Sequence, residues 1–362
     1  MNEESYIKIA IELAKKGRGF VSPGALSGAL LVKKEKIIGA GFTNNTDPFA
    51  SEKSAIASSK ENLSGAILYS NIESSPGGAS VDDFVDELKK FNISKVVYGT
   101  TNPDSSVMGK VISKIKKAGI ETKVGVLEKE CSELNKFYFK SLAQKRPYIT
   151  LKIAMTLDGK IADVKRDSKW ITSVDSRCLV HELRAYHDVV LVGKNTILKD
   201  NPELTVRLVE GRNPQRVIID PNLKIPIKSN LFNHNPGNVT IVTTQENLEL
   251  KKKKSEKLLS RGVTLLKAPL KKNGDINFNS LSKKLFAQGI TSILVEGGSY
   301  TFSKFVSEKL FDELLVFLSP KILGSGLCAV ENIGITSIRK AMKLKINSVK
   351  QVGDDVLISL IR

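Results

Sequence analysis

The second half of the chain carries the residues whose types and spacing could bind an anionic ligand. An apolar run, Leu151–Met155, ends in the polar turn Thr156–Gly159, a geometry that can present backbone groups and the Asp158 carboxylate to a ligand. The segment Val295–Ser299 places two adjacent glycines between a predicted strand and helix, where backbone N–H groups can approach a phosphate. Taken singly, these features also fit tight turns, and Arg184 on a predicted helix also fits a solvated cation.

Cysteine and histidine are sparse. Residues 1–130 contain neither, and Cys131, Cys178 and Cys328 lie far apart without a CxxC pair. This count is typical of free thiols in a cytoplasmic protein. No run approaches the roughly 18 apolar residues of a membrane helix. The N-terminal stretch is amphipathic and begins acidic, unlike a signal or transit peptide, so we predict a cytoplasmic protein with no membrane contact.

The charge balance is strongly basic, with 56 Lys+Arg against 38 Asp+Glu and a net charge of +18. Such a balance can indicate nucleic acid, a membrane surface or an anionic small substrate. The lysines are scattered, and the one dense run, Lys251–Lys254, lies in a helical stretch that we expect to be solvated. Aromatic residues make up 6% with a single Trp, too few for base-stacking platforms, so we predict no nucleic-acid partner.

Helix and strand signals alternate in the first 146 residues. A helix is predicted at Ile7–Lys16, followed by a hairpin of Gly28–Val32 and Ile37–Ala40. The next predicted elements are a helix near Glu52–Ser59, strands at Ala66–Tyr69, Lys95–Gly99 and Glu121–Val126, and a helix over Lys129–Leu142. Alternation of this density predicts an α/β sandwich.

The polar segment Gln144–Pro147 marks the predicted domain boundary, because a proline discourages helix in the residue before it. Beyond it, apolar runs predict strands at Tyr148–Ile153, Val189–Val192, Arg216–Ile219, Val239–Val242, Val263–Leu266, Ser292–Val295, Leu314–Leu318 and Val356–Ile361. We therefore predict two α/β domains, residues 1–146 and 147–362.

From about Tyr148 to Arg362 the chain resembles the reductase domain of the bacterial bifunctional riboflavin-biosynthesis deaminase/reductase, a dihydrofolate-reductase-like fold. The matching stretches are LKIAMTLDGKIA, SKWIT, HELRAYHDVVLVGKNTILKDNPELTVR, RVIID and LVEGGS. The resemblance implies reduction of 5-amino-6-(5-phosphoribosylamino)uracil to the ribitylamino compound with NADPH. It implies an NADPH site lined by Ala154, Trp170, Thr196, Asp200, Gly298 and Ser299. It implies a substrate site formed by Ser168, Arg184, Leu204, Arg207 and Glu296.

The acid–base chemistry is a hypothesis about the same residues. The ribose must open to an imine or aldehyde-like C1′ before it accepts hydride, so the protein's task is positioning and electrostatics. Asp200 or Glu296 could assist the proton movement, and Lys152 could stabilise charge. The chain departs from the family at Pro221, where a small hydroxyl residue near the cofactor is common, so a side-chain hydrogen bond is lost there.

The N-terminal half resembles the deaminase domain of the same enzyme, a cytidine-deaminase-like fold, through AIELAKKGRGFVSP, GALLVKKEKIIGAGF, GAILYSNIE and KVVYGTTNPD. Zinc deaminases need His-x-Glu and two cysteines. Here the His-Ala-Glu position reads Ala50-Ser51-Glu52, the Pro-Cys position reads Ser74-Ser75, and Phe84 occupies the place of the second cysteine. These side chains cannot form a His/Cys/Cys zinc site, so we predict no zinc and a lost deaminase activity.

Several alternatives remain open at this stage. The N-terminal domain could serve as a structural support for oligomers, and the resemblance implies a homodimer. Its relic cleft could instead bind a regulatory pterin- or pyrimidine-like ligand. The whole chain could be a bifunctional enzyme, or a repurposed non-catalytic ligand-binding protein. A chain with only the reductase activity requires a separate deaminase in the pathway.

Overall fold

The computed structural model describes residues 1–44, 49–74, 81–105 and 107–362. The chain divides into two compact units, Met1–Lys145 and Arg146–Arg362. No helix in these described ranges is long and apolar enough to span a membrane. Each unit is built on one large β-sheet with helices packed against it.

The first unit is a five-stranded sheet with helices. Its elements are α1 (Glu3–Lys15), β1 (Gly28–Lys33), β2 (Lys36–Phe42), α2 (Ala50–Ser58), β3 (Ile67–Ile72), α3 (Val81–Lys90), β4 (Lys95–Thr100), α4 (Lys110–Lys117), β5 (Glu121–Val124), α5 (Glu128–Leu134) and α6 (Lys136–Gln144). The strand order is β2-β1-β3-β4-β5, with an antiparallel β1–β2 hairpin and parallel pairing of β3, β4 and β5. The predicted hairpin and strands are therefore confirmed.

One predicted helix of the first unit is wrong. The stretch Lys129–Leu142 is not continuous but divides into α5 and α6 at Asn135. The Asn135 side chain accepts the backbone N–H of Leu26 at 2.7 Å and donates to its carbonyl at 3.0 Å. The break is thus caused by a contact with a residue more than a hundred positions away, which local periodicity does not reveal.

The second unit contains a nine-stranded sheet. Its helices and strands are β6 (Tyr148–Thr156), β7 (Lys160–Ala162), α7 (Val174–Tyr186), β8 (Val189–Gly193), α8 (Lys194–Asp200), β9 (Gln215–Ile219), β10 (Val239–Thr243), α9 (Gln245–Leu250), α10 (Lys252–Leu259), β11 (Thr264–Lys267), α11 (Phe278–Ala287), β12 (Ser292–Val295), α12 (Ser299–Ser307), β13 (Glu313–Ser319), β14 (Leu327–Cys328), β15 (Lys345–Val352) and β16 (Asp355–Ile361). The order in the large sheet is β11-β10-β9-β8-β12-β6-β13-β16-β15.

The sheet of the second unit is parallel from β11 through β13, and only β16 and β15 run antiparallel to their neighbours. Strands buried on both faces read as continuous apolar runs, which is why most of them were predictable. The carboxyl ends of the parallel strands meet at one edge of the sheet. In an open α/β sheet this edge is where a ligand cleft is expected.

The lysine run is not simply solvated, contrary to the prediction. Lys251 separates α9 from α10, and its Nζ donates to the carbonyl of Asn222 at 2.6 Å. Lys254 Nζ donates to the carbonyl of Leu223 at 2.9 Å. Burial lowers the pKa of Lys254. Two of these lysines therefore hold the loop after β9, close to the edge that carries the cleft.

Candidate active site

A cleft of about 850 Å³ lies at the carboxyl edge of the parallel strands of the second unit. β8 ends there at Gly193, and β12 ends there immediately before Glu296. The predicted site residues that line it are Lys152, Ala154, Ser168, Trp170, Arg184, Thr196, Asp200, Arg207, Glu296, Gly298 and Ser299. Residues from four of the sequence stretches quoted above thus converge on one cavity.

Leu204 is the predicted substrate-site residue that does not line the cleft. Its side chain is 3% exposed and belongs to an apolar cluster that also contains Ile197 and Phe232. Its φ of 57° lies in the left-handed region, which is uncommon for a branched residue. Any contact between Leu204 and a ligand is therefore restricted to its backbone.

The glycine pair before α12 forms a cradle with the properties of a phosphate site. Gly297 and Gly298 have φ values of 130° and 26°, which L side chains rarely adopt. A Cβ on Gly298 would lie 3.6 Å from Thr196 Oγ1, which also belongs to the cleft lining, so a side chain there would occupy space beside Thr196. The backbone N–H groups of the first turn of α12 face an anion favourably. The cradle fits the phosphates of a dinucleotide.

A carboxylate stands beside this cradle. Ser299 Oγ donates to Glu331 Oε1 at 2.6 Å, and the backbone N–H of Glu331 donates to Ser303 Oγ at 2.8 Å. Glu331 lines the cleft and was not predicted from the sequence, because it lies outside every recognisable motif. Its negative charge opposes a bound phosphate, so the charge of Glu331 influences how tightly the cradle holds an anion.

Arg184 and Glu296 form a bidentate ion pair in the wall of the cleft. Arg184 Nε donates to Glu296 Oε1 at 2.6 Å and Nη2 donates to Oε2 at 2.7 Å, while Nη1 donates to the carbonyl of Thr205 at 3.0 Å. The two side chains are 11% and 7% exposed. Burial alone would raise the pKa of Glu296, but the Arg184 guanidinium outweighs it and holds that pKa below its usual range. Glu296 is therefore ionised at neutral pH.

Lys152 lies on β6, next to this ion pair. Within the described chain its ammonium makes no hydrogen bond or salt bridge, and its Nζ lies 5.5 Å from the centre of the Phe317 ring. Burial and the charge of Arg184 lower the pKa of Lys152, and Glu296 opposes that shift. A lysine with a depressed pKa is a better proton donor near neutrality than an ordinary one.

His181 lies one helical turn before Arg184 on α7 and also lines the cleft. Its Nδ1 accepts the backbone N–H of Arg207 at 2.9 Å. Burial and the charges of Arg184 and Arg207 lower the pKa of His181 to about 4, so its ring is neutral. His181 was not predicted as a site residue, although its spacing of three residues from Arg184 places both side chains on one helix face.

Polar and aromatic groups border the open side of the cleft. Trp170 is 63% exposed, and the Arg177 guanidinium lies 4.2 Å from its ring centre. Asp200, at the end of α8, has its pKa raised by partial burial and by Asp167, with Lys169 and Lys199 opposing the shift. Ser168 lines the same region. These residues are placed to contact the exposed part of a ligand.

The structure also locates Asp158 and Pro221, two further residues that the sequence analysis discussed. The Asp158 carboxylate accepts from Thr156 Oγ1 at 2.6 Å and from the backbone N–H groups of Leu323 and Gly324 at 3.0 and 2.8 Å. Hydrogen bonding lowers the pKa of Asp158 to about 2. Asp158 is exposed but does not line the cleft, so its presentation to a ligand stays a prediction. Pro221 lines the cleft.

In the first unit, Glu52, the glutamate that the resemblance assigns to the deaminase motif, is fully buried. Glu52, on α2, has 0% exposure and accepts the Ser51 hydroxyl at 2.5 Å and the hydroxyl of Ser74. Ser27 Oγ lies 2.7 Å from Ser51 Oγ and extends the hydroxyl network. Burial raises the pKa of Glu52. The carboxyl group is thus satisfied inside the protein rather than presented to a ligand.

Apolar packing surrounds Phe84, at the position where the resemblance implies a metal-binding cysteine. The Phe84 ring stacks on Phe49 at a centroid distance of 4.6 Å and an interplanar angle of 22°, and both side chains are buried. Ala50 is 8% exposed at the start of α2. Ser75 lies outside the described residues. No group of three or more His, Cys, Asp or Glu side chains suited to a metal ion occurs in the part of the chain that the structure describes.

The fold and the cleft define a two-domain α/β protein whose second unit is a dihydrofolate-reductase-like reductase domain. The family model of the RibD C-terminal domain matches residues 147–358. The riboflavin biosynthesis protein RibD of Aquifex aeolicus is 39% identical over 98% of this chain and 97% of its own length. The RibD protein of Escherichia coli is 30% identical over the full length of both chains. The chain belongs to the RibD family of riboflavin-biosynthesis enzymes.

Solved structures agree with this assignment along the whole chain. A diaminohydroxyphosphoribosylaminopyrimidine deaminase/5-amino-6-(5-phosphoribosylamino)uracil reductase from Thermotoga maritima matches with a TM-score of 0.86 at 36% identity, covering 99% of this chain and 98% of that one. A RibD structure from Acinetobacter baumannii matches with a TM-score of 0.88 at 27% identity and the same coverage. The predicted family and fold class of both domains are confirmed.

Proposed function

We propose that this chain catalyses the NADPH-dependent reduction of 5-amino-6-(5-phosphoribosylamino)uracil to the ribitylamino compound, and that it has lost the deaminase activity. The observation that carries the reductase proposal is the convergence of the glycine cradle, the Arg184–Glu296 pair and Lys152 on one cleft. The cradle suits a dinucleotide, and cations opposite it suit a phosphorylated sugar.

When bound, NADPH supplies the hydride that reduces C1′ of the opened sugar. Gly297, Gly298 and Thr196 would hold its phosphates at the start of α12, and the exposed Trp170 would contact it from the cleft lining. Choosing NADPH rather than NADH as the donor rests on the family resemblance. A direct comparison of the two nucleotides tests that choice.

The charged residues of the cleft bind the substrate phosphate and transfer the proton. Arg184 is held in place by Glu296, and Arg207 by the hydroxyl of Thr205 at 2.8 Å, so two guanidiniums are oriented before a phosphate arrives. Lys152, which lacks a carboxylate hydrogen bond, gives its Nζ proton to the ribose ring oxygen as the C1′–O bond opens. Ionised Glu296 stabilises the protonated lysine rather than donating a proton itself. Asp200 stays a second candidate for proton transfer.

The loss of deamination rests on the buried state of Glu52. A deaminase glutamate must shuttle protons between a metal-bound water and the base. Here that carboxyl group is fully buried and bonded to two serines, and the second cysteine's place is filled by the Phe49–Phe84 stack. We propose that the first unit supports the architecture of the enzyme and that a separate protein supplies the deaminated substrate.

The bifunctional alternative draws support from the full-length likeness to the Thermotoga maritima deaminase/reductase. One experiment separates it from the proposed function. Metal-analysed protein is offered NADPH with the aminated and the deaminated pyrimidine phosphates in parallel, and NADPH oxidation and ammonia release are recorded. Oxidation with the deaminated compound alone supports a reductase without deaminase. Ammonia release from the aminated compound, abolished by a chelator, would establish the bifunctional enzyme.

Two further expectations accompany this proposal. We place the enzyme in the cytoplasm, since its three cysteines are free and its substrate is a phosphorylated metabolite. The homodimer implied by the resemblance stays a prediction, which sedimentation of the purified chain checks directly.

A further inference from the structure

His181 has one ring nitrogen engaged and the other available. Nδ1 accepts the backbone N–H of Arg207 at 2.9 Å. An imidazole nitrogen that accepts a hydrogen bond carries no proton, so in the neutral ring the proton lies on Nε2. Nε2 makes no hydrogen bond with another described residue, and the side chain lines the cleft. The ring therefore presents one N–H donor of fixed direction.

The charged neighbours of His181 indicate which kind of ligand its Nε2–H group can bind. Its ring is influenced by the charges of Arg184, Arg207 and Glu296, of which only the last is negative. Glu296 is already bonded twice to Arg184. A third cation between two guanidiniums would be costly, whereas a neutral donor adds a hydrogen bond to an anion without adding repulsion.

We propose that His181 is a substrate-binding residue, whose Nε2–H donates to a phosphate oxygen of the sugar phosphate between Arg184 and Arg207. This inference rests on the proposed reductase function and deepens it by assigning the phosphate end of the substrate to α7. It gives His181 two tasks. Nδ1 fixes the backbone of Arg207, and Nε2 contacts the ligand.

Two substitutions separate these tasks. In His181→Asn, the amide oxygen takes the position of Nδ1 and keeps the bond from Arg207, but no distal donor remains. In His181→Gln, the longer amide places an N–H group near the position of Nε2 and loses the bond from Arg207. A ligand contact predicts that Asn is the more damaging replacement. A purely structural role predicts the reverse order.

The first measurement is the binding of ribose 5-phosphate, with ribose as the control ligand, by calorimetry on the full chain. His181→Asn is expected to weaken ribose 5-phosphate binding about 10- to 100-fold, the usual effect of losing a hydrogen bond to a charged group. The difference between ribose 5-phosphate and ribose should shrink by the same factor. His181→Gln should lose less affinity. NADPH affinity and the melting temperature of the Asn variant should match the wild type.

The second measurement is steady-state kinetics with the phosphorylated pyrimidine substrate. The Asn variant should raise KM by a similar factor with a smaller change in kcat, because the phosphate contact is made equally in the ground and transition states. An Asn variant with wild-type ribose 5-phosphate affinity would overturn the assignment of His181. A wild-type enzyme that binds ribose 5-phosphate but does not turn over the substrate would instead refute the proposed function, so the two failures are distinguishable.

Discussion

The buried ion pair between Arg184 and Glu296 gives a quantitative test of how the cleft is held together. With side chains only 11% and 7% exposed, solvent screens the pair weakly. Glu296→Gln keeps the side-chain size but removes the negative charge and turns one acceptor into a donor that faces the guanidinium. Leaving a buried charge uncompensated costs about 3–5 kcal/mol. We expect about 3 kcal/mol, because the glutamine carbonyl still accepts one of the two hydrogen bonds.

The single tryptophan provides an assay confined to the correct domain. Trp170 is the only Trp of the chain and lies in the second unit, so its fluorescence follows the unfolding of that unit alone. For a unit of this size, a loss of about 3 kcal/mol corresponds to a fall in Tm of about 6–12 °C. Far-UV circular dichroism recorded on the same samples reports the first unit as well, whose transition should not move.

A double-mutant comparison controls for the change in shape. Arg184→Met combined with Glu296→Leu replaces the pair by apolar side chains, and this replacement should recover most of the stability lost in Glu296→Gln. If Glu296→Gln lowers the free energy of unfolding by less than about 1 kcal/mol, the charge of Arg184 is compensated by other groups. Our account of the cleft wall would then be refuted.

Three further perturbations test other parts of the molecule. Gly297→Ala, at a φ of 130°, should weaken NADPH binding about tenfold or more, as measured by calorimetry. The control Gly289→Ala, at a similarly positive φ of 86° in a turn, should leave NADPH binding unchanged. Equal effects of the two substitutions would argue against a phosphate site at the glycine pair. Glu331→Gln should tighten NADPH binding about three- to tenfold, because it removes a negative charge at Ser299, and weaker binding would contradict this. Burial raises the pKa of Glu52 in the folded protein above its ordinary value of 4.5. The free energy of unfolding therefore falls as the pH rises from 4.5 through the folded pKa, because the buried carboxyl group must then either stay protonated or carry a charge. Glu52→Gln should therefore melt at least as high as the wild type at pH 7 and lose this advantage below about pH 4.5 in circular dichroism, whereas a lower Tm at pH 7 would reject that reasoning.

Sequence patterns were sufficient for elements buried on both faces and failed where tertiary contacts decide. Most parallel strands of both sheets appear as apolar runs, and β5, with the polar sequence ETKV, is an exception. The positions of the parallel strands were predicted within a few residues. β15, with the polar sequence KINSVKQV, was missed because it is an exposed strand that pairs with β16 at the edge of the sheet. The break between α5 and α6 depends on the distant Leu26 backbone, which no local signal contains.

The cleft was predictable to the extent that its residues belong to recognisable stretches. Lys152, Arg184 and Glu296 were found in this way, but the bond between Arg184 and Glu296, 112 positions apart, required the structure. His181 and Glu331 were missed because a histidine on a helix and a glutamate in a loop carry no signal by themselves. The contacts of Asp158 were not predictable, because two of its hydrogen-bond donors are backbone N–H groups of residues more than 160 positions away.

The stacked pair Phe49–Phe84 also bears on the evolutionary history of the first unit. Phe84 is 2% exposed, so replacing it by a small thiol would leave a cavity costing about 3–5 kcal/mol, typical of deleting a buried ring. On the proposed loss of the zinc site, a cysteine at position 84 alone would bind no metal, because a histidine at Ala50 and a second cysteine would be needed as well. The substitution Phe84→Cys would therefore cost stability and give no metal site in return. The packing would then act as a barrier against the stepwise recovery of the site.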